Sequence, residues 1–214
     1  MTSLMDDQIK YWNNTWAKRI DPENPAHIDM NRQKMHIVIK AIMERPYYID
    51  SEKLEIGCGT GIHAALIATI CPSYLLSWTG IDLSTTAIKS AKSMGLNAES
   101  GDIFTYDFEK KFDSFIMLDS LEHVEDHFAL AQRILQLASD PYSFRIFANI
   151  PIYNDHNHQL EQDMDRNVVA KFCSYLGFKK FWQKIYGVFG YPYMMFEAST
   201  GDKEINREGV ITLS

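Results

Sequence analysis

The hydrophobic pattern changes period along the chain. In the first twenty residues Ile9, Trp12, Trp16 and Ile20 recur at helical spacing, which predicts a short amphipathic helix that Pro22 and Pro25 break. A second helix is expected over about His27–Arg45, with Ile28, Met35, Ile39, Ile42 and Met43 inward and Pro46 ending it. From Lys53 onward short apolar runs alternate with helical periodicity. Strands are expected at Lys53–Ile56, Leu76–Ile81, Leu96–Ser100, Phe115–Leu118 and Tyr142–Ile150. Helices fill the gaps at about Thr60–Ile70, Ser84–Met94 and Val124–Ala138, with Ser84 as an N-cap and Gly95 as a C-terminal stop. After a long polar loop, Pro151–Asp163, comes a helix at about Asp165–Leu176. Two aromatic strands, Phe178–Tyr186 and Tyr193–Ala198, then read as an antiparallel hairpin.

Strands alternating with helices imply right-handed βαβ units. The expected fold is therefore α/β: a doubly wound, mostly parallel seven-stranded sheet with an N-terminal helical cap and a C-terminal antiparallel hairpin. The corresponding division is 1–50 for the cap, 51–200 for the main domain and 201–214 for a polar tail. A length of 214 residues and 46% apolar content suit one such domain. No apolar run reaches the roughly 18 residues of a membrane span. The segment Met1–Lys10, with Asp6 and Asp7, has no apolar core of a signal peptide. A formal charge of −7 weighs against nucleic acid as the main partner. Three widely spaced cysteines without a CxxC fit a reduced, cytoplasmic protein.

The chemistry centres on Leu54-Glu55-Ile56-Gly57-Cys58-Gly59-Thr60-Gly61. An apolar strand runs into three glycines at alternate positions and then directly into a helix. Glycine tolerates positive φ and lets a ligand approach the backbone, and the helix start adds free N–H donors. The G-x-G-x-G spacing departs from the G-x-G-x-x-G dinucleotide fingerprint, since Ile62 stands where its third glycine belongs. A nicotinamide oxidoreductase is disfavoured for that reason. Each feature also has a plainer reading. The glycines could be a packing turn, Asp82 a helix cap, Asp102 a turn residue, Trp12 and Trp16 core-facing aromatics, and Tyr186, Tyr191, Tyr193 and Phe196 hairpin packing.

Taken in order, Glu55 with G-x-G-x-G, Asp82 at the end of Gly80-Ile81-Asp82-Leu83-Ser84, Asp102 in Ser100-Gly101-Asp102-Ile103, and Phe115–Leu118 followed by Asp119-Ser120-Leu121-Glu122-His123-Val124 resemble the class I S-adenosylmethionine-dependent methyltransferases. The resemblance includes the "EHV" segment after strand four that is common in their small-molecule branch. The resemblance spans roughly Lys53–Leu176. It implies that Glu55, Gly57, Cys58, Gly59 and Gly61 form the cofactor loop and that Asp82 takes both ribose hydroxyls. It also implies that Asp102 receives the adenine amine beside the Ile103 backbone, and that Leu83 and Asp119 complete the S-adenosylmethionine site.

The acceptor implied is a small molecule, methylated most plausibly at oxygen. That reaction asks for a base, and His123, His156 and His158 are the candidates. A second possibility treats Asp119, Glu122 and His123 as D-x-x-E-H ligands of a divalent metal on one helical face, resembling the E-x-x-E-H motif of some 2′-O-methyltransferases; the leading expectation is that no metal is used. An RNA or protein methyltransferase, or a non-catalytic S-adenosylmethionine-binding subunit, are the alternative functions.

Overall fold

In the computed structural model the described residues are 4–19, 26–152, 164–188, 191–199 and 210–212. They divide into two compact units, Met1–Tyr106 and Asp107–Ser214.

The first unit opens with helices α1 (Leu4–Arg19), α2 (Ala26–Met43) and α3 (Pro46–Asp50). Pro46 does not merely end α2. It sits at the first position of α3, where its fixed φ suits a helix start and its missing N–H costs nothing. Strands β1 (Lys53–Ile56), β2 (Trp78–Asp82) and β3 (Ala98–Ser100) follow, separated by α4 (Ile62–Ile70) and α5 (Thr85–Ser93). All are parallel, in the order β3-β2-β1, with Lys53 opposite Trp78 and Gly80 opposite Ala98. β1 is buried along its whole length although Lys53 and Glu55 alternate with Leu54 and Ile56, because a parallel strand in the sheet interior exposes neither face. Buried Lys53 sits at the entry of β1. Its ammonium donates to Tyr74 O at 3.2 Å and Ser77 Oγ at 2.6 Å, and lies over the Tyr74 ring. The strand expected from Leu76 instead begins at Trp78. Residues Pro72–Ser77 form a 3-10 turn that leaves Leu76 86% exposed.

The second unit holds β4 (Ser114–Leu118), α6 (His127–Leu137), β5 (Arg145–Pro151), α7 (Arg166–Tyr175), β6 (Lys180–Val188), β7 (Tyr191–Ser199) and β8 (Val210–Thr212). The strand order is β4-β5-β7-β6-β8: β4 and β5 are parallel, and every later pairing is antiparallel. Strands β1–β7 are the seven expected from the sequence. β8, inside the stretch read as a polar tail, adds a short edge strand beside β6. Edge-to-face contacts link Phe112, Phe115 and Phe144 in the core, and Phe178 packs tilted against Phe144. α6 buries Leu130, Ala131, Ile134 and Leu137, whereas Phe128 faces outward onto the Tyr175 ring.

Candidate functional site

The glycine loop joins β1 to α4. Gly57, Gly59 and Gly61 all have left-handed backbones, with φ of 71°, 55° and 70°. That conformation strains any residue bearing a Cβ, which explains the alternate glycines. The loop is tied to β2 because Gly57 N–H and Cys58 N–H both donate to Ile81 O, at 2.8 and 3.1 Å. Cys58 is buried and its Sγ lies 2.6 Å from where a Cβ on Gly80 would stand. Burial pushes its thiol well above the ordinary value, so it is a packing group and any ligand contact there falls to its backbone.

Glu55 lies beneath the loop, 1% exposed. Its Oε2 accepts the Trp78 Nε1–H at 2.8 Å, while Oε1 has no hydrogen-bond partner and is 3.9 Å from His63 Nδ1. Burial pushes its carboxyl up to about 8. The Trp78 bond offsets part of this, and nearby Asp82 adds to it.

Asp82 ends β2 at the open side of the loop. Its Oδ2 accepts the Gly59 N–H at 2.8 Å and its Oδ1 the Ser84 N–H at 2.8 Å. Burial raises its pKa, and those two N–H groups oppose the rise. A carboxylate offers about four acceptor positions, so two backbone donors leave capacity for a pair of hydroxyls. Half-buried Leu83 lies between Asp82 and Ser84, and Ser84 caps α5 by accepting the Ala87 N–H. At the end of β3, Gly101 N–H donates to Asp82 O. Asp102 turns the chain there, its Oδ1 accepting the Phe104 N–H at 3.0 Å, and Ile103 is buried beside it. Asp102 is thus a turn residue, yet its second oxygen accepts no protein donor among the described residues.

Two residues at this loop carried no sequence signal for it. Trp16 on α1 places its indole against Gly59, so that a Cβ there would fall 2.6 Å from Trp16 Cη2. Asn13, one turn earlier, reaches the start of α5. Both contacts are remote in sequence, beyond what helical periodicity reveals.

In the second unit, Asp119 follows β4 with a left-handed φ of 53°, the one such non-glycine among the described residues. It is held there by Asn149: Asp119 N–H donates to Asn149 O, and Asn149 Nδ2 donates to Asp119 Oδ1, each at 2.8 Å. The Asn149 Oδ1 accepts the Tyr186 hydroxyl at 2.6 Å, and the Tyr186 ring stacks on Tyr193. Burial, then Asp119 and Tyr193, raise the Tyr186 pKa, so it is a phenol and not a phenolate. Tyr186 and Tyr193 are therefore hairpin packing with a polar function added. Asn149, the one polar residue in the buried run Ile146–Ile150, was the available signal.

The left-handed turn at Asp119 corrects the expectation of one helical face for Asp119, Glu122 and His123. Leu121–His123 is a 3-10 turn, and α6 begins at His127, capped by Asp126, rather than at Val124. Glu122 is buried, with Oε1 3.9 Å from His123 Nε2. Among the described residues no group of three His, Cys, Asp or Glu side chains is placed to hold a metal ion. His156 and His158 lie outside the described residues.

Residues 54–139 match the family Methyltransf_11, described as a methyltransferase domain. No curated protein matches the chain. Among solved structures, the chain is similar to magnesium protoporphyrin IX methyltransferase from Synechocystis PCC 6803 with bound S-adenosylhomocysteine. The identity is 17%, with 91% of this chain and 99% of that one covered and a TM-score of 0.70. It is also similar to a SAM-dependent methyltransferase from Archaeoglobus fulgidus (17% identity, 77% and 94% covered, TM-score 0.60). A third is the N-methyltransferase NodS from Bradyrhizobium japonicum WM9 with S-adenosylhomocysteine (14%, 88% and 97%, TM-score 0.62). These likenesses show the Rossmann-like methyltransferase fold. With the domain match, they support an S-adenosylmethionine-dependent methyltransferase as the enzyme class and S-adenosylmethionine as its cofactor.

Proposed function

We propose that the chain methylates a small-molecule acceptor, at oxygen, using S-adenosylmethionine. The observation that carries the cofactor half is the Gly57–Gly61 loop, whose central N–H is fixed by Asp82 while that carboxylate keeps acceptor capacity. Its donor set suits a nucleoside: Asp82 would hold the ribose hydroxyls, and Asp102, with Ile103, the adenine edge. Glu55 supports the loop from beneath, Cys58 and Leu83 contribute backbone, and Asp119 would meet the amino-acid end.

When bound, S-adenosylmethionine supplies an already activated methyl group on its sulfonium. The protein's remaining work is to orient the acceptor, exclude water and take up a proton. His123, partly buried beside Glu122, is the proposed base, with His156 and His158 as further candidates. A small acceptor is favoured by the charge of −7, which gives polyanionic RNA no general attraction. Solved structures of similar fold include enzymes for magnesium protoporphyrin IX and a possible histamine N-methyltransferase. Three free cysteines fit a cytoplasmic setting, and no described helix is long and apolar enough to cross a membrane.

The test is transfer of labelled methyl from S-adenosylmethionine to a panel of phenols, catechols, carboxylates and amines. Label on a hydroxyl oxygen, abolished by His123→Ala with S-adenosylhomocysteine affinity unchanged, supports the proposal. Label on nitrogen moves the acceptor class. Tight S-adenosylhomocysteine binding without transfer to any acceptor, protein or RNA points to a regulatory subunit.

A further inference from the structure

The C-terminal hairpin reaches the carboxyl edge of β4 and β5 through one side chain, Tyr186. β5 and β7 are antiparallel, as are β7 and β6, so β6 runs in the direction of β4 and β5, with Tyr186 near its carboxyl end. Tyr186 pairs with Tyr193 and Tyr193 with Pro151, which puts Tyr186 on the sheet face that Asn149, two residues before Pro151, also presents. The Tyr186 hydroxyl donates to Asn149 Oδ1 at 2.6 Å, and Asn149 Nδ2 donates to Asp119 Oδ1 at 2.8 Å. The Tyr193 ring, 3% exposed, stacks on Tyr186 with centroids 5.7 Å apart and limits its movement.

Packing alone would not select this chain of groups. Asn149 is fully buried between Ala148 and Ile150, where an unsatisfied amide is strongly unfavourable. A carboxylate only accepts, so the amide nitrogen of Asn149 must face Asp119 and its oxygen must face Tyr186. Without the Tyr186 hydroxyl, that oxygen would be a buried acceptor with nothing to accept, and the amide would turn from Asp119 to find a donor. Asp119 itself holds a left-handed φ of 53°, a conformation unfavourable for a residue with a Cβ and kept only where its surroundings fix it.

We propose that Tyr186 and Asn149 are positioning residues for cofactor binding. The hydroxyl fixes the Asn149 amide, and the amide holds the Asp119 carboxylate in the orientation that receives the ammonium at the amino-acid end of S-adenosylmethionine. The inference rests on the reading of Asp119 as the residue that meets that end. A carboxylate already held in one orientation binds an ammonium without first losing rotamer freedom. Both residues act through Asp119, so the hairpin has a function in binding as well as in packing.

The experiment is titration calorimetry on the full chain with two ligands: S-adenosylhomocysteine, and 5′-methylthioadenosine, which keeps the nucleoside and lacks the amino-acid end. Far-UV circular dichroism checks folding. Tyr186→Phe keeps the stacked ring. It is expected to weaken S-adenosylhomocysteine about fivefold, the ordinary worth of one hydrogen bond, and 5′-methylthioadenosine by less than about twofold. Asn149→Ser breaks the chain at its middle and is expected to separate the two ligands in the same way, by about tenfold against less than about twofold. In an Asp119→Asn chain, which has already lost the charge, adding Tyr186→Phe is expected to change S-adenosylhomocysteine affinity by less than about twofold. Equal weakening of both ligands would overturn the proposal in favour of a purely structural bond, as would a further loss of about fivefold in the Asp119→Asn chain. Unchanged S-adenosylhomocysteine affinity in Tyr186→Phe and Asn149→Ser would overturn it as well. An Asp119→Asn chain that binds S-adenosylhomocysteine as wild type does overturns the reading of Asp119, and a wild-type chain that binds neither ligand overturns the cofactor reading; each takes the inference with it.

Discussion

Glu55 makes stability depend on pH in a direction opposite to most carboxylates. It is 1% exposed, holds one hydrogen bond from Trp78, and has its carboxyl pushed from 4.5 up to about 8. The folded chain therefore holds its proton at neutral pH while the unfolded chain does not. Between those two values the folded state binds more protons, so stability falls as pH rises. The contribution is fully present below 4.5 and gone above about 8. At about 1.4 kcal/mol per pH unit, the loss from pH 5 to pH 8 is roughly 3 to 4 kcal/mol. Glu55→Gln keeps an oxygen for the Trp78 N–H and cannot ionise, so it isolates the effect. Urea unfolding of both proteins at intervals from pH 5 to 8 should show the variant gaining on wild type by about 1 kcal/mol per unit over most of that window. Parallel profiles would refute the buried neutral carboxyl. Wild type gaining on the variant as pH rises would mean that an ionised Glu55 is stabilised, with His63 at 3.9 Å the nearest cationic candidate.

Asp82→Ala strips the acceptor from the Gly59 and Ser84 N–H groups as well as from the ligand. Calorimetry with S-adenosylhomocysteine should show binding weakened by on the order of 2 to 3 kcal/mol, and Asp82→Asn should recover part of it. Tyr186→Phe leaves the ring stacked on Tyr193 but removes the donor to the buried Asn149 Oδ1. Thermal or urea unfolding should show a loss of about 1 to 3 kcal/mol, and an unchanged midpoint would show the bond to be dispensable. Gly59→Ala places a Cβ in the Trp16 ring at a left-handed φ of 55°. It should weaken S-adenosylhomocysteine binding, and Trp16→Ala in the same chain should recover part of the lost stability, which a double-mutant cycle would measure.

What could be read from the sequence is what is local in it. The glycine spacing announces three left-handed residues because no other residue type takes that conformation freely, and Ser84 announces a cap because the donor it serves, Ala87 N–H, is three residues away. The alternation of strand and helix is equally local, and the order of elements follows from it. Phase across a turn is not local. Asp119, Glu122 and His123 have helical spacing, but the left-handed backbone at Asp119 breaks the phase, and a spacing rule that assumes a continuous helix cannot register that. Pairings across the fold are less legible still: Asn13 meets residues 71 to 73 positions away, and Tyr186 meets Asn149 at 37. Helical periodicity marks Trp16 as facing something; only the folded chain makes that something Gly59.

Gly59 consequently answers two demands at once, and they bear on how the loop should be interpreted. Its φ of 55° and the Trp16 ring both exclude a side chain, so the position would need glycine for packing alone. The glycine by itself is therefore weak evidence for a ligand. The stronger evidence is Asp82: a purely structural turn could satisfy the Gly59 and Ser84 N–H groups with water. Keeping instead a carboxylate whose ionised form burial penalises, next to an already buried Glu55, costs stability that packing does not explain. A ligand donating hydroxyls to Asp82 would stabilise its charged form and return part of that cost on binding. Cofactor binding should then release a proton when measured between the free and bound pKa of Asp82, a signal that Asp82→Asn would abolish while Gly59→Ala would diminish only through affinity.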